Sequence, residues 1–156
     1  MPTDPKRLLI RDRIETVLAA ITAGADYFFT TVKVFKIDIL EVNCPGYPCY
    51  SVHPDSGGQL AADSDNSLDE TFYLNVKGMV KDMADPGAAV IQASRDVRKA
   101  LDDDFRSGLA GSLGTLAIRI RFPEPPVTDN GLFSGGGLGF FELRVEILIT
   151  GDYGSL

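Results

Sequence analysis

Two cysteines and the one histidine of the chain stand close together in a segment rich in turn-forming residues. Cys44, Cys49, His53 and Asp55 follow the spacing C-x4-C-x3-H-x-D. Thiolate, imidazole and carboxylate groups all bind zinc, so these four side chains could close a tetrahedral site. Structural zinc sites, however, usually combine two ligand pairs, each about two to four residues apart, and this chain has only one cysteine pair. The spacing favours two unlinked thiols, with a local disulfide or a metal- or ligand-binding loop as alternatives.

His53 is also the only base available for a Ser-His-Asp or Cys-His arrangement. It lies in an acidic, proline-bounded segment, and the chain contains no Gly-x-Ser-x-Gly elbow that would present a nucleophile. Nucleophilic catalysis is therefore not predicted. We expect a protein that is not an enzyme and has no catalytic residue.

Two other motifs resemble binding loops without meeting the requirements of such loops. The glycines within 135–139 would suit a phosphate loop, but that loop opens a helix, whereas here a strand is predicted to follow. Acids and a serine alternate over 63–69 like calcium ligands, yet the required glycine is replaced by Leu68 and the bidentate glutamate by Leu74. We expect a flexible connection and a solvated acidic loop, with no metal and no cofactor.

A run of acids, Asp102, Asp103 and Asp104, lies near the end of a predicted helix. Negative charge in the last turn opposes the helix dipole, at a cost of about 0.3–1 kcal/mol. Solvation explains these side chains better than general acid catalysis does. A basic partner or an ion-lined channel would offset the cost, so the three are candidate channel-lining acids.

Apolar and aromatic residues within the loops are candidates for contact with another subunit or partner. Leu132 and Phe133 stand among Gly, Pro and Asp, and Tyr47 and Tyr50 raise the same question in the cysteine segment. Aromatic anchors are enriched at the centres of interfaces. The alternative is that these side chains fold back onto their own sheet.

Composition restricts the partners. The net charge is −7, from 22 acidic and 15 basic residues among 156. An acidic chain without a basic cluster is not expected to bind phosphates tightly. An acidic channel surface would still let DNA pass, because it does not bind the phosphates. The apolar run near the start is too short for a signal peptide or a membrane span, so no membrane partner is expected.

Two helices are predicted from apolar residues that recur every three or four positions. The first covers about residues 5–23, and the second follows Asp85 and Pro86 and ends near Gly108. In both, an aspartate precedes a proline at the first helical position, which is typical of a helix start. The predicted strands cover 28–42, 47–53 (where Pro48 requires an edge or a bulge), 71–80, 115–122 and 141–149.

The loops 43–70 and 123–139 are much longer than the usual connection of about 4–6 residues. The second helix is long enough to return the chain along the sheet, so the strand from Thr115 should run parallel to the strand from Thr71. The two loops then lie at opposite ends. We predict an α+β fold: one α/β-sandwich domain over 1–156, with a mixed, mainly antiparallel sheet of four to five strands and two helices on one face.

This order of elements resembles the tail terminator proteins of tailed phages and related neck and tail-completion proteins. The resemblance rests on an N-terminal amphipathic helix (Arg7–Ala23), the strand TFYLNVKGMV, the late helix GAAVIQASRDVRKALDDDF that ends in a run of Asp, and a terminal hairpin with a long loop.

The resemblance implies a virion protein made in the cytoplasm of the host bacterium. It implies a ring of identical subunits, often six, that caps the tail tube and joins it to the head. Its partners would be copies of itself, the tail tube protein and head–tail connector proteins, with DNA only passing through the channel. No catalytic residue carries over from the family.

Overall fold

The computed structural model describes residues 6–39, 43–62, 67–129 and 136–152. This part of the chain folds into three helices and six strands, and it confirms the predicted α+β class with a mainly antiparallel sheet. The sheet has one strand more than the predicted upper number, and the third helix was not predicted. In chain order the elements are α1 (Lys6–Ala19), β1 (Lys33–Phe35), β2 (Cys49–Ala62), β3 (Ser67–Lys81), α2 (Pro86–Arg106), α3 (Leu113–Leu116), β4 (Arg119–Arg121), β5 (Val127–Asp129) and β6 (Leu138–Asp152).

The sheet is built around three long strands. The strand order is β1-β2-β3-β6-β4, and β5 pairs with β6 beside β4. β2, β3 and β6 pair in antiparallel fashion, whereas β1 runs parallel to β2. Because β3 and β4 are each antiparallel to β6, they run parallel to each other, as predicted.

The register of β3 and β6 shows where the two long connections lie. Ser67, at the start of β3, is opposite Asp152, and Lys81, at its end, is opposite Leu138. The connection that enters β3 and the connection that enters β6 therefore lie at opposite ends of the sheet, which confirms that prediction.

The second helix forms where the sequence indicates. Asp85 caps α2, its carboxylate accepting a hydrogen bond from the backbone N–H of Ala88 at 2.9 Å, and Pro86 occupies the first turn. α1 is shorter than predicted and ends at Ala19 rather than Ala23. No helix in the described part of the chain is long and apolar enough to cross a bilayer.

Both long helices cover the same face of the sheet, and the core lies between the two layers. The alternation predicted for β3 and β6 is confirmed, because every second side chain is buried. The buried apolar side chains of β3 are Phe72, Leu74, Val76 and Val80, those of β6 are Phe141, Leu143, Val145, Ile147 and Ile149, and those of α1 and α2 include Ile10, Ile14, Leu18, Val90, Val97 and Leu101.

Several predicted loops and strands were wrong. Of the strand predicted over 28–42, the described residues contain only β1. Much of the predicted loop 43–70 is instead strand, because β2 pairs with β3 through Ala62 opposite Leu68. These pairs depend on backbone hydrogen bonds rather than on apolar side chains, so a polar sequence is compatible with them.

The predicted strand over 115–122 is also shorter than expected. Residues 113–116 form α3, β4 covers only 119–121, and Ile118 is exposed. The predicted loop 123–139 contains β5, which pairs with β6. Pro48 precedes β2 through a cis peptide bond, and a register irregularity of β2 begins at Pro54.

Candidate functional site

The sheet face opposite the helices carries charged side chains in place of an apolar core. Arg144 lies over the ring of Tyr73, with its guanidinium carbon 3.9 Å from the ring centroid. Its Nε lies 2.8 Å from the Asp55 carboxylate, and its Nη1 lies 3.7 Å from that of Glu124. Arg144 and the two carboxylates line a cavity of about 320 Å³ together with Asn75. The arrangement suits polar contacts with another macromolecule.

The same polar face has a second group of ion pairs near β1. Lys77 donates to the Asp38 carboxylate at 2.5 Å, and Nε2 of His53 lies 3.9 Å from the same carboxylate. Ser51 on β2 is buried, and its hydroxyl oxygen accepts the backbone N–H of Ile39 at 3.2 Å. Residues near Ile39 therefore cover the beginning of β2.

Both lateral edges of the sheet have unpaired backbone in the described residues. β1 pairs with β2 only over Cys49–Ser51. The rest of β2, which has 14 residues, pairs only with β3 among the described strands. At the other edge, β4 and β5 pair only with β6 among the described strands. Unpaired N–H and C=O groups along an edge are a template for pairing with another chain.

The predicted contact residues have different outcomes. Tyr50 was predicted wrongly, because its ring is fully buried in the core with its centroid 6.1 Å from that of Phe141. Tyr47 is half-buried and precedes the cis-Pro48 bond, and its role in an interface stays a prediction. Leu132 and Phe133 lie outside the described residues.

The three candidate channel-lining acids each have a cationic partner. Asp102 pairs with Arg106 at 2.8 Å and Asp103 with Lys99 at 2.6 Å, both one helical turn away and both about half exposed. Asp104 is different, because its carboxylate is bound by Arg13 within the subunit and only 9% of the side chain is exposed. A place on a channel wall therefore suits Asp102 and Asp103 better than Asp104.

Cys44 and Cys49 are free thiols that lie side by side. Cys49 is buried and its Sγ donates to the carbonyl oxygen of Gly46 at 2.8 Å. Burial, followed by the hydrogen bond with Cys49, raises the pKa of the Cys44 thiol to about 12.

His53 is remote from this thiol pair. It follows Cys49 by four residues on the same strand, which corresponds to roughly 13 Å. The described residues contain no group of three or more His, Cys, Asp or Glu side chains that could hold a metal ion. Among the described residues the metal- or ligand-binding alternative therefore has two adjacent thiols, and it stays a prediction.

One functional group that the sequence did not reveal is the carboxylate of Asp96. It is fully buried, and its Oδ2 accepts the backbone N–H groups of Phe28 and Phe29 at 2.8 and 3.0 Å. Burial raises the pKa of Asp96, and the two N–H groups partly oppose that rise. Its burial could have been predicted from its position next to Val97 on the buried face of α2. Asp96 holds the segment after α1 against α2.

Comparison with known proteins adds no family or relative. No family model matches the chain, and no curated protein matches it. The surfaces described above are therefore the basis on which its function is argued.

Proposed function

We propose that the chain is a structural virion protein of a tailed phage: a tail terminator or head–tail joining component that forms a ring and caps the tail tube. The order of elements supports this proposal. The elements on which the resemblance rests occur in this order in the chain: an N-terminal helix, the strand that contains TFYLNVKGMV (β3), a long second helix and a terminal antiparallel pair after a long connection (β5 and β6).

The observation that carries the proposal is the pair of open edges on one sheet. The free flank of β2 and the edge formed by β4 and β5 lie on opposite sides of the subunit. Two different surfaces on opposite sides suit a heterologous, head-to-tail contact, which closes into a ring when its rotation permits. Unpaired backbone at a sheet edge is also a template on which another chain can pair.

Charge supports the same function. The chain carries a net charge of −7, and Asp102 and Asp103 remain about half exposed on α2. An acidic ring wall lets DNA move past without binding it. The tail tube protein and head–tail connector proteins would be the partners at the two ends of the ring, and the protein would reside in the virion after synthesis in the bacterial cytoplasm.

Sedimentation velocity and negative-stain microscopy test the ring directly. Across a concentration series, the purified chain should show a discrete oligomer and annular particles, with six subunits as the expected number. The same measurements should be repeated with tail tubes of the encoding phage, since a ring that forms only on its tube would appear at the tube end. Monomers at every concentration, with bare tube ends, would contradict the proposal.

A further inference from the structure

A groove lies between α2 and the edge of the sheet that β4 and β5 form. Its volume is about 680 Å³. Ile91, Phe122 and Pro126 provide apolar walls, and Arg95 and Arg98 provide positive charge. Ile91 is 67% exposed, a high value for a large apolar side chain. Exposed apolar surface beside fixed charge is typical of a surface that contacts a partner.

The two arginines of the groove are neighbours on α2. Arg95 and Arg98 are three residues apart, a spacing that brings the Cβ atoms of two helical residues within about 5–6 Å of each other. Each guanidinium lies over an aromatic ring. The Cζ atom of Arg95 is 5.1 Å from the ring centroid of Phe28, and that of Arg98 is 5.6 Å from the ring centroid of Phe122. The rings thus hold both cations in place before a partner arrives, which lowers the entropy lost on binding.

Arg98 has no carboxylate partner in the part of the chain that the structure describes. Its Nη2 donates to the carbonyl oxygen of Glu124 at 3.4 Å, and its Nε is buried without a hydrogen-bond partner. A guanidinium has five N–H donors, so most of the hydrogen-bonding capacity of Arg98 has no described acceptor. A carboxylate supplied from outside the subunit would provide one.

The charge of Arg95 is only weakly compensated. Its Nη1 lies 3.7 Å from Oδ1 of Asp96, and 56% of its side chain is exposed. The other oxygen of that carboxylate already accepts two backbone N–H groups. Like charges one helical turn apart repel each other. An anion bound between Arg95 and Arg98 relieves that repulsion.

The other charged side chains that line the groove already have partners. Lys99 pairs with Asp103 at 2.6 Å and with Asp26 at 3.9 Å. Asp102 pairs with Arg106 at 2.8 Å. The charge that remains is that of the two arginines, so the groove is a cationic site on a chain whose net charge is −7.

We propose that this groove binds an acidic segment of a partner protein, with carboxylates on the two arginines and an apolar side chain against Ile91 and Phe122. Charge complementarity selects carboxylates, and the apolar walls favour a protein segment, whose apolar side chains can stand next to its acids. Nucleic acid phosphate is the competing anion, and the net negative charge of the chain disfavours it. The contact goes beyond the proposed ring, because it uses side chains of α2 rather than the backbone of an edge strand.

Fluorescence anisotropy with a labelled peptide tests the site in the full-length chain. The probe is a fluorescein-labelled peptide in which glutamate alternates with leucine, and the matched probe has glutamine in place of every glutamate. The acidic probe should bind, and its affinity should fall as salt is added, because ions screen the contact with the arginines. The glutamine probe should bind at least about tenfold more weakly, since it cannot form charge-assisted hydrogen bonds.

Substitutions of the arginines locate the probe. Arg95→Gln and Arg98→Gln should each raise the dissociation constant of the acidic probe about tenfold, because each removes one charged donor group. Arg98→Lys keeps the charge without the planar donors, so its effect should be smaller. Arg121→Gln is the matched control: Arg121 is exposed and lies opposite Glu146, on the sheet face away from the helices, and its loss should leave the dissociation constant unchanged.

A second variant separates the contact from effects on folding. Ile91→Ala shortens an exposed side chain, so the thermal midpoint should be kept. The variant should weaken binding of the acidic leucine probe by about fivefold, because apolar contact area is lost. A probe with alanine in place of leucine should bind the variant and the wild type equally well, since it makes no such contact.

The outcomes distinguish this proposal from the ring. A monomeric chain that binds the acidic probe through both arginines overturns the ring and leaves the groove contact standing. A chain that does not bind the acidic probe, or that binds it equally well as Arg95→Gln/Arg98→Gln, overturns the groove contact whatever its oligomeric state. Stronger binding of labelled single-stranded DNA through the same arginines assigns the groove to nucleic acid and also overturns the proposal.

Discussion

Arg13 on α1 binds the carboxylate of Asp104, in the last turn of α2, through two guanidinium nitrogens. Its Nε lies 3.1 Å from Oδ2, and its Nη2 contacts Oδ1. The same carboxylate accepts the backbone N–H of Leu113 at 2.8 Å. One nearly buried side chain thus joins both long helices to the short helix that leads into β4.

Asp104→Asn should lower the free energy of unfolding by about 1–3 kcal/mol, because it removes a charge-assisted pair and weakens the acceptor for Leu113. Chemical denaturation followed by circular dichroism measures this change. Asp103→Asn is the matched control: its side chain is half exposed, and an exposed pair with Lys99 contributes little. Equal losses in the two variants would contradict the anchoring role.

The same pair predicts a pH dependence. Burial raises the pKa of Asp104, but the hydrogen bonds from Arg13 and Leu113 outweigh it and hold the pKa below the ordinary value of 3.8. The stabilisation is complete above that value and is lost as the pH falls through the lower folded-state pKa. The stability gap between wild type and Asp104→Asn should therefore be largest near neutral pH and shrink in acid. A gap that widens on acidification would be inconsistent with this pair.

Gly78→Ala should destabilise the core. A Cβ atom at this position would lie 2.3 Å from Cε1 and 2.5 Å from Cζ of Phe141, whose ring is fully buried. Overpacking of this kind costs about 1–3 kcal/mol, which a thermal or urea melt detects. Gly24→Ala is the control, since nothing lies within 4 Å of the added Cβ there. Equal stability losses in Gly78→Ala and Gly24→Ala would contradict the close packing of residue 78 against Phe141.

The parts of the fold that were predictable are those in which side-chain pattern and burial coincide. The cap at Asp85 and the buried stripe from Val90 to Leu101 identified α2. Strict alternation identified β3 and β6, because each has one face on the core. In these elements the hydrophobic period determines the structure.

The outer half of β2 had no such signal. Its pairing with β3 is satisfied by the backbone, and its sequence is rich in Gly and Ala, which predicts a loop. Apolar residues 115–120 also fit a short helix followed by a strand, and alternation alone did not separate the two.

The candidate site was predictable only in part. Tyr50 falls in the predicted short strand 47–53 inside the long connection 43–70, which does not fix the direction of its side chain, whereas β2 begins at Cys49 and turns Tyr50 into the core. The groove on α2 was missed, since it brings together residues from α2 and β5 that are distant in sequence. Only a three-dimensional arrangement places Phe122 beside Arg98.

Cys44 should be a slow nucleophile despite its neighbouring thiol. Burial and the hydrogen bond with Cys49 raise its pKa from the ordinary 9.0 to about 12, which lowers the reactive thiolate fraction at pH 8 by about a thousandfold. Alkylation by iodoacetamide, followed by peptide mass spectrometry, should be at least about a hundredfold slower in the native protein than in urea. Native labelling at the urea rate would show that the thiol is neither buried nor paired.

The central claim, that this chain joins tail to head, is tested most directly by electron microscopy of phage lysates. In the proposed phage, a stop codon is introduced into the gene, and the same cells are examined with and without the wild-type chain supplied from a plasmid. We predict DNA-filled heads and separate tails of irregular length in its absence, and complete virions when it is restored. A normal yield of joined virions without the chain would contradict the claim.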